Sequence, residues 1–286
     1  MFNGKPDIDW LVKYGQIDVA ADWQKVKRRM NARRVMPLRH MFMRVAAAVV
    51  ALMVTVGAGV YLLRRTGQQA DAAYNQIVVP AGQRAQMTLA DGTSVWLNAG
   101  SSLRIPANFG AGRRQVRLEG EACFEVVPGA KKPFTVLTAG LGIRVYGTSF
   151  NVTSYPDDRY DEVSLVRGSL GVAAAGGGGN ELMLQPGQKI RYMRETSVFA
   201  GPVQADAKTE LAWRDGKLVF DDEPFGEIAK KLERRYGVTV RILDESYAQM
   251  RYRGAFRRET LEQAIQAIQF TAGYSYTIED EVLTIY

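Results

Sequence analysis

The chain has 286 residues, with 37 Lys+Arg against 30 Asp+Glu and a formal net charge of +7. It contains one histidine, His40, and one cysteine, Cys123. That scarcity excludes an internal disulfide, a zinc site built on Cys and His, and any histidine-dependent triad that does not recruit His40. Spread evenly, the positive charge would point to nucleic acid or an anionic membrane; it is concentrated at one end.

Residues 1–44 form a short, basic segment. Within it Asp18–Met30 is helix-compatible, because Val19, Trp23, Val26 and Met30 fall on one stripe. Two readings of that stripe stand side by side. One is a basic helix lying on anionic lipid. The other is a helix offered to a protein partner through Trp10, Trp23 and Val26.

An uncharged run follows from Val45 to Leu63. Nineteen residues at about 1.5 Å each reach roughly 28 Å, the hydrocarbon thickness of a bilayer. The run predicts a transmembrane helix. Eight basic residues crowd ahead of it, from Lys25 to Arg44, whereas Arg64 and Arg65 alone follow before Arg84. This asymmetry places the N-terminus in the cytoplasm and the long C-terminal part outside. Residues 1–65 hold 12 basic and 4 acidic side chains, leaving 25 basic against 26 acidic beyond them. The net charge is therefore a topology signal, and direct nucleic-acid binding is not expected. His40 falls on the cytoplasmic side, so the exported part has no imidazole. Cys123 is alone in an oxidising compartment and reads as a small buried residue.

Residues 66–76 read as a polar spacer. From 77 to 192 the apolar residues alternate in short runs punctuated by Gly and Pro, as in Ala85-Met87-Leu89 and Val95-Leu97 around an Asp91-Gly92 turn. This pattern predicts an all-β domain. Residues 193–212 read as a linker. Residues 213–286 change period again. Phe225, Ile228, Ala229, Leu232 and Tyr236 mark one helical stripe, with Pro224 at its start and Gly237 at its end. Leu261, Ala264, Ile265 and Ile268 mark a second, opened by a Thr260…Gln263 capping box. The order β-α-β-β-α-β-β describes a small α+β domain.

No constellation for enzymatic turnover stands out, and no cofactor or metal site is expected. Glu119, Glu121 and Glu125 share a strand parity and read as a solvated face, not as a glycosidase pair or calcium site. The glycines at Gly110–Gly112 and Gly176–Gly179 fit no phosphate loop. Residues alone give a single-pass protein with a cytoplasmic tail and two exported domains, the layout of a signal relay.

The β segment resembles the FecR family, the membrane-bound sigma regulators of bacterial cell-surface signalling. The residues that carry the likeness are Asp91 to Ser101 (DGTSVWLNAGS), Leu118-Glu119-Gly120-Glu121-Ala122 with Phe124-Glu125-Val126, and Gly147-Thr148-Ser149-Phe150-Asn151-Val152. Pro133-Phe134 with Val136, Arg167-Gly168-Ser169-Leu170 and Pro186-Gly187-Gln188 complete the set. The last segment is similar to the C-terminal domain of Bacteroidetes-type members, a fold like the short signalling domain of secretins and TonB-dependent receptors.

The resemblance implies a sigma regulator of the inner membrane, N-terminus in the cytoplasm and C-terminus in the periplasm. Its partners would be the signalling domain of an outer-membrane TonB-dependent receptor and an extracytoplasmic-function sigma factor that controls uptake genes, for iron or glycan. It also implies a self-cleavage bond at Gly147-Thr148. The cytoplasmic segment is shorter than in the relatives, and Cys123 stands where an aromatic residue is usual. The competing class is a periplasmic glycan-binding or envelope-structural protein, with Trp96 and Tyr155 stacking on sugar.

Overall fold

A computed structural model describes residues 19–31, 38–69, 73–111, 113–129, 132–176 and 181–286. The chain divides into two compact units, residues 1–70 and 71–286.

The first unit contains helix α1 (Val19–Asn31) and helix α2 (Leu38–Gln69). Asp22 in the first turn of α1 and Arg28 and Arg29 in its last complement the helix dipole. Trp23, Val26 and Met30 lie exposed along it, Trp23 at 68%. The apolar run Val45–Leu63 sits inside the unbroken helix α2. The Thr55 hydroxyl turns back onto the Ala51 and Leu52 carbonyls, so the polar group in this run is satisfied by the helix itself. Among the described residues no helix is long and apolar enough to cross a membrane.

The second unit opens with a sheet of thirteen strands: β1 (Tyr74–Val78), β2 (Ala85–Thr88), β3 (Ser94–Leu97), β4 (Ser102–Pro106), β5 (Arg114–Glu125), β6 (Phe134–Leu137), β7 (Leu141–Val145), β8 (Ser149–Ser154), β9 (Tyr160–Arg167), β10 (Leu170–Ala174), β11 (Leu182–Leu184), β12 (Gln188–Met193) and β13 (Val198–Gln204). β5, twelve residues long, is shared. Its first half pairs with β4 and β6, its second half with β3 and β8. The two halves of the sheet close on one core, where Leu103, Val116, Phe134 and Ile143 meet Val95, Phe124, Phe150 and Val163. Phe124 and Phe150 stack at 5.2 Å.

The halves part at Gly120. It has φ +105°, and a Cβ there would lie 2.4 Å from Ser101 Oγ and 2.6 Å from Ser101 Cα. Ser101 uses the close approach: its hydroxyl donates to the Glu121 carbonyl and accepts from the Glu121 N–H. At the far end of the domain, the Asp91 carboxylate accepts from Thr93 N–H and from the nearly buried Arg114 at 2.7 Å. The turn read as Asp91-Gly92 is thereby tied to the start of β5.

Residues 193–212, expected as a linker, contain β13, which extends the sheet beside β12. Its side chains are mostly exposed, so the alternation that marks a half-buried strand is missing. After it come a one-turn helix α3 (Ala207–Glu210) and a 3-10 helix (Ala212–Asp215).

The last domain runs β14 (Leu218–Pro224), α4 (Phe225–Tyr236), β15 (Thr239–Ile242), α5 (Glu245–Ala248), β16 (Arg251–Phe256), α6 (Leu261–Ala272), β17 (Tyr276–Glu279) and β18 (Val282–Ile285). β14 pairs with β16, while β15 lies parallel to β18 and β17 antiparallel to it. Pro224 caps α4 and Gly237, at φ +73°, ends it. The Thr260–Gln263 capping box forms in full at α6. Phe225, Ile228, Leu232, Ile265, Tyr274 and Leu283 build a second core, which shares no residue with the first.

Gly120→Ala tests the parting of β5. We expect a loss of about 3 kcal/mol in stability, from a strained φ and a backbone clash that no rotamer relieves. Urea titration of the variant checks it.

Candidate functional site

One face of the second half-sheet makes the hydrophobic core; the other is polar, and the segment after β13 lies on it. Trp213 donates its indole N–H to Asn151 Oδ1 at 3.2 Å. The Arg214 guanidinium lies 3.9 Å from the centre of the Trp96 ring, donates to Glu125 at 3.0 Å and reaches Cys123 Sγ at 3.6 Å. Lys189 pairs with Glu210 at 2.8 Å. Beneath this roof Glu121 accepts from Asn98, Asn151 and Thr153 at 2.7, 2.9 and 3.3 Å. Burial pushes its carboxyl above the usual range against those donors. Of the three glutamates of β5 read as a solvated face, Glu121 is the one that departs from it. Glu119 is exposed, Glu121 is enclosed among amides, and Glu125 holds Arg214.

The turn between β8 and β9, Tyr155 to Arg159, carries the second contact. Asp161, fully buried, organises it by accepting from Thr138, Gly140 N–H, Ser154 and Arg194. Arg194 also donates to the Pro156 and Asp158 carbonyls. Against this fixed turn α4 sets Arg234. Its guanidinium meets Asp157 at 2.8 Å and both Asp158 oxygens at 2.6 and 3.2 Å, and lies 3.7 Å from the centre of the Tyr155 ring. One turn earlier, Lys230 donates to the Asp157 carbonyl at 3.0 Å. The Arg234 carbonyl accepts from Gly82 N–H at 2.8 Å. A cavity of about 820 Å³ remains between the two domains, lined by both signs of charge.

Gly147 and Thr148 stand together at the entry to β8. Gly147 has φ +154°, a region favouring glycine, and a Cβ there would lie 3.0 Å from Pro128. Thr148 is 3% exposed, and its hydroxyl donates to the Ser169 carbonyl at 2.8 Å. Gly168, at φ +99°, lets the next turn approach: a Cβ there would lie 2.9 Å from Gly147 O and Thr148 Oγ1. The Gly-Thr-Ser-Phe-Asn-Val and Arg-Gly-Ser-Leu stretches are therefore one contact in space. Trp23 and Val26 sit on α1, exposed; Trp10 lies outside the described residues. Trp96 and Tyr155 have ring faces occupied by Arg214 and Arg234, so neither offers the open platform a stacked sugar needs. Among the described residues no group of three His, Cys, Asp or Glu side chains is arranged to hold a metal ion.

Sequence reading missed Arg234, Asp157, Asp158, Trp213 and Arg214. The Pro156-Asp157-Asp158 turn signal was present, but a pairing over 76 residues leaves no spacing to read.

Cys123 is buried on the polar side of the sheet, and burial raises its thiol from 9.0 to about 11. A thiol raised in the folded state supports folding fully below the unfolded value. That support, about 3 kcal/mol, is lost as pH climbs through the 9-to-11 window. We expect the native thiol to resist iodoacetamide at pH 8. We also expect the melting temperature to fall more between pH 8 and 10.5 than in Cys123→Ala.

Two family descriptions match the chain: "FecR protein" over residues 75–171 and "FecR, C-terminal" over residues 217–285. A crystal structure of "a putative anti-sigma factor from Parabacteroides distasonis" at 1.65 Å resolution is similar, with TM-score 0.69 and 32% identity. The match covers 74% of this chain and 98% of that one. A second crystal structure with the same description, at 2.50 Å, matches at TM-score 0.69 and 31% identity over 75% and 99%. No curated protein matches. A third of the residues shared over nearly the whole of a solved relative, in both domains and in order, makes this chain a member of the FecR family.

Proposed function

We propose that this FecR-family chain is a single-pass sigma regulator of the inner membrane. It would relay a signal from an outer-membrane TonB-dependent receptor to an extracytoplasmic-function sigma factor. The observation that carries the reading is the joint match of the β domain and the C-terminal domain to the FecR family and to crystal structures described as "a putative anti-sigma factor". The fold supports a contact function: its conspicuous polar groups are spent on holding one element against another. In this reading Val45–Leu63 spans the bilayer, because a bilayer thickness of uncharged helix follows a basic flank. The β and α+β domains then lie in the periplasm. The sigma factor takes α1 through Trp23 and Val26, which the helix leaves exposed, together with Trp10. The receptor's signalling domain takes the C-terminal domain, whose short sheets present open strand edges. Uptake genes are the regulated output.

The carrier of the sigma contact is testable. Co-purification of the full chain with each extracytoplasmic sigma factor of the host should recover one of them. Trp23→Ala/Val26→Asp should weaken recovery at least tenfold, since central aromatic anchors contribute about 2 kcal/mol or more. Recovery of none, or recovery unaffected by the double substitution, counts against this reading.

The Gly147–Thr148 bond is proposed as the cleavage point. Thr148 Oγ1 attacks the Gly147 carbonyl carbon, the C–N bond breaks as the ester forms, and the hydroxyl proton passes to the freed Thr148 amine. Water then hydrolyses the ester, leaving a Gly147 carboxylate and an N-terminal Thr148. The step needs no imidazole, and the Thr148 hydroxyl that would attack is held in place by its bond to the Ser169 carbonyl. Purified full-length protein should yield a fragment with Thr148 as its first residue by N-terminal sequencing, and Thr148→Ala should yield none.

A further inference from the structure

We propose that the C-terminal domain is docked on the β domain by a releasable ionic latch, in which Arg234 grips the Asp157–Asp158 turn over Tyr155, with Gly216 as the pivot. The inference does not depend on the sigma-factor reading; it concerns how the β and C-terminal domains are joined.

Four features of the seam lead to it. The two domains have separate hydrophobic cores with no residue in common, so each can keep its fold if the seam parts. The described contacts from α4 across the seam are polar: Arg234 to Asp157 and Asp158, Lys230 to the same turn, and the Gly82 N–H on the Arg234 carbonyl. Seams of this polar kind are the ones along which domains move. An open cleft of about 820 Å³, lined by residues of both domains, runs beside the contact. The connecting segment, by contrast, is fixed to the β domain as far as Arg214, through Trp213 on Asn151 and Arg214 on Trp96 and Glu125. The next flexible point is Gly216, in the left-handed region at φ +78° and beside the Arg84 side chain of the β domain. Its carbonyl is held by the neighbour of the latch residue, Arg235, at 2.8 Å.

The latch is strong because it is sheltered. The Asp158 side chain is 5% exposed and that of Arg234 15%, so salt screens the pair less than a surface pair. The fork of Arg234 spans both Asp158 oxygens, a geometry lysine cannot reproduce. Without Arg234, Asp158 keeps Lys230 alone as a cation, at 3.7 Å. A sheltered carboxylate with so little compensation is relieved by opening the seam to water. Removing the guanidinium should therefore free the domain while leaving both folds in place.

Hydrogen exchange on the full-length chain in detergent micelles tests this. In Arg234→Ala the amide of Gly82, which bonds across the seam, should exchange about 100-fold faster or more, the factor expected for loss of a sheltered ion pair. The amides of Phe124 and Leu283, one in each core, should keep wild-type protection. Asp157→Ala/Asp158→Ala should give the same acceleration, and combining it with Arg234→Ala should add nothing further. Unchanged exchange at Gly82 in Arg234→Ala overturns the latch. So do loss of core protection along with the seam and additive effects of the two sets of substitutions.

Discussion

β5 is the constraint on which the β domain and the elements packed on it rest. Twelve residues long, it serves two half-sheets, and the change of partner occurs at Gly120, where the backbone of Ser101 comes too close for any side chain. Because one strand feeds both halves, the residues on its inner face (Val116, Leu118, Ala122, Phe124) reach one core from two directions. Those on the other face are left to chemistry that is not apolar. Glu121, Cys123 and Glu125 emerge there, and each meets a polar or cationic partner on another element.

That polar face determines how the rest of the chain is held. Trp213 and Arg214 settle on it through one hydrogen bond, one stacked ring and one ion pair. The segment between domains is therefore not free to wander, although its composition resembles a linker. The turn after β8 does the same for the C-terminal domain. Asp161 and Arg194, both spent on shaping that turn, present Asp157 and Asp158 to α4. A chain of charged contacts runs from the inside of one domain to the helix of the next. A regulator that must report contact at one domain to another place needs couplings of this kind, firm at rest and separable without unfolding either core.

The same economy explains why so little of the polar chemistry in these motifs is catalytic in form. The Asp-Gly-Thr stretch closes a hairpin and anchors Arg114. The Leu-Glu-Gly-Glu stretch turns β5. Gly168 comes so close to Gly147-Thr148 that a methyl group on it would collide with both, and one on Gly147 would press on Pro128. Motifs that identify the family are, in this fold, mostly places where backbone must approach backbone.

Periodicity and punctuation alone determined the apolar helix, the β character of the middle segment and the two helices of the last domain, down to the capping box at Thr260 and Gln263. These are local properties: side-chain spacing, cap residues and turn residues act over a few positions. β13 escaped because an edge strand exposed on most of its length has no alternation to show. The fate of the glutamates on β5 was equally hidden, since parity says which residues share a face and not what covers it. Arg234 and Arg214 read as two ordinary cations. Only the tertiary structure decided that one would meet Asp157 and Asp158 and the other Trp96 and Glu125, because those meetings join residues some 76 to 118 positions apart through the path of the whole chain.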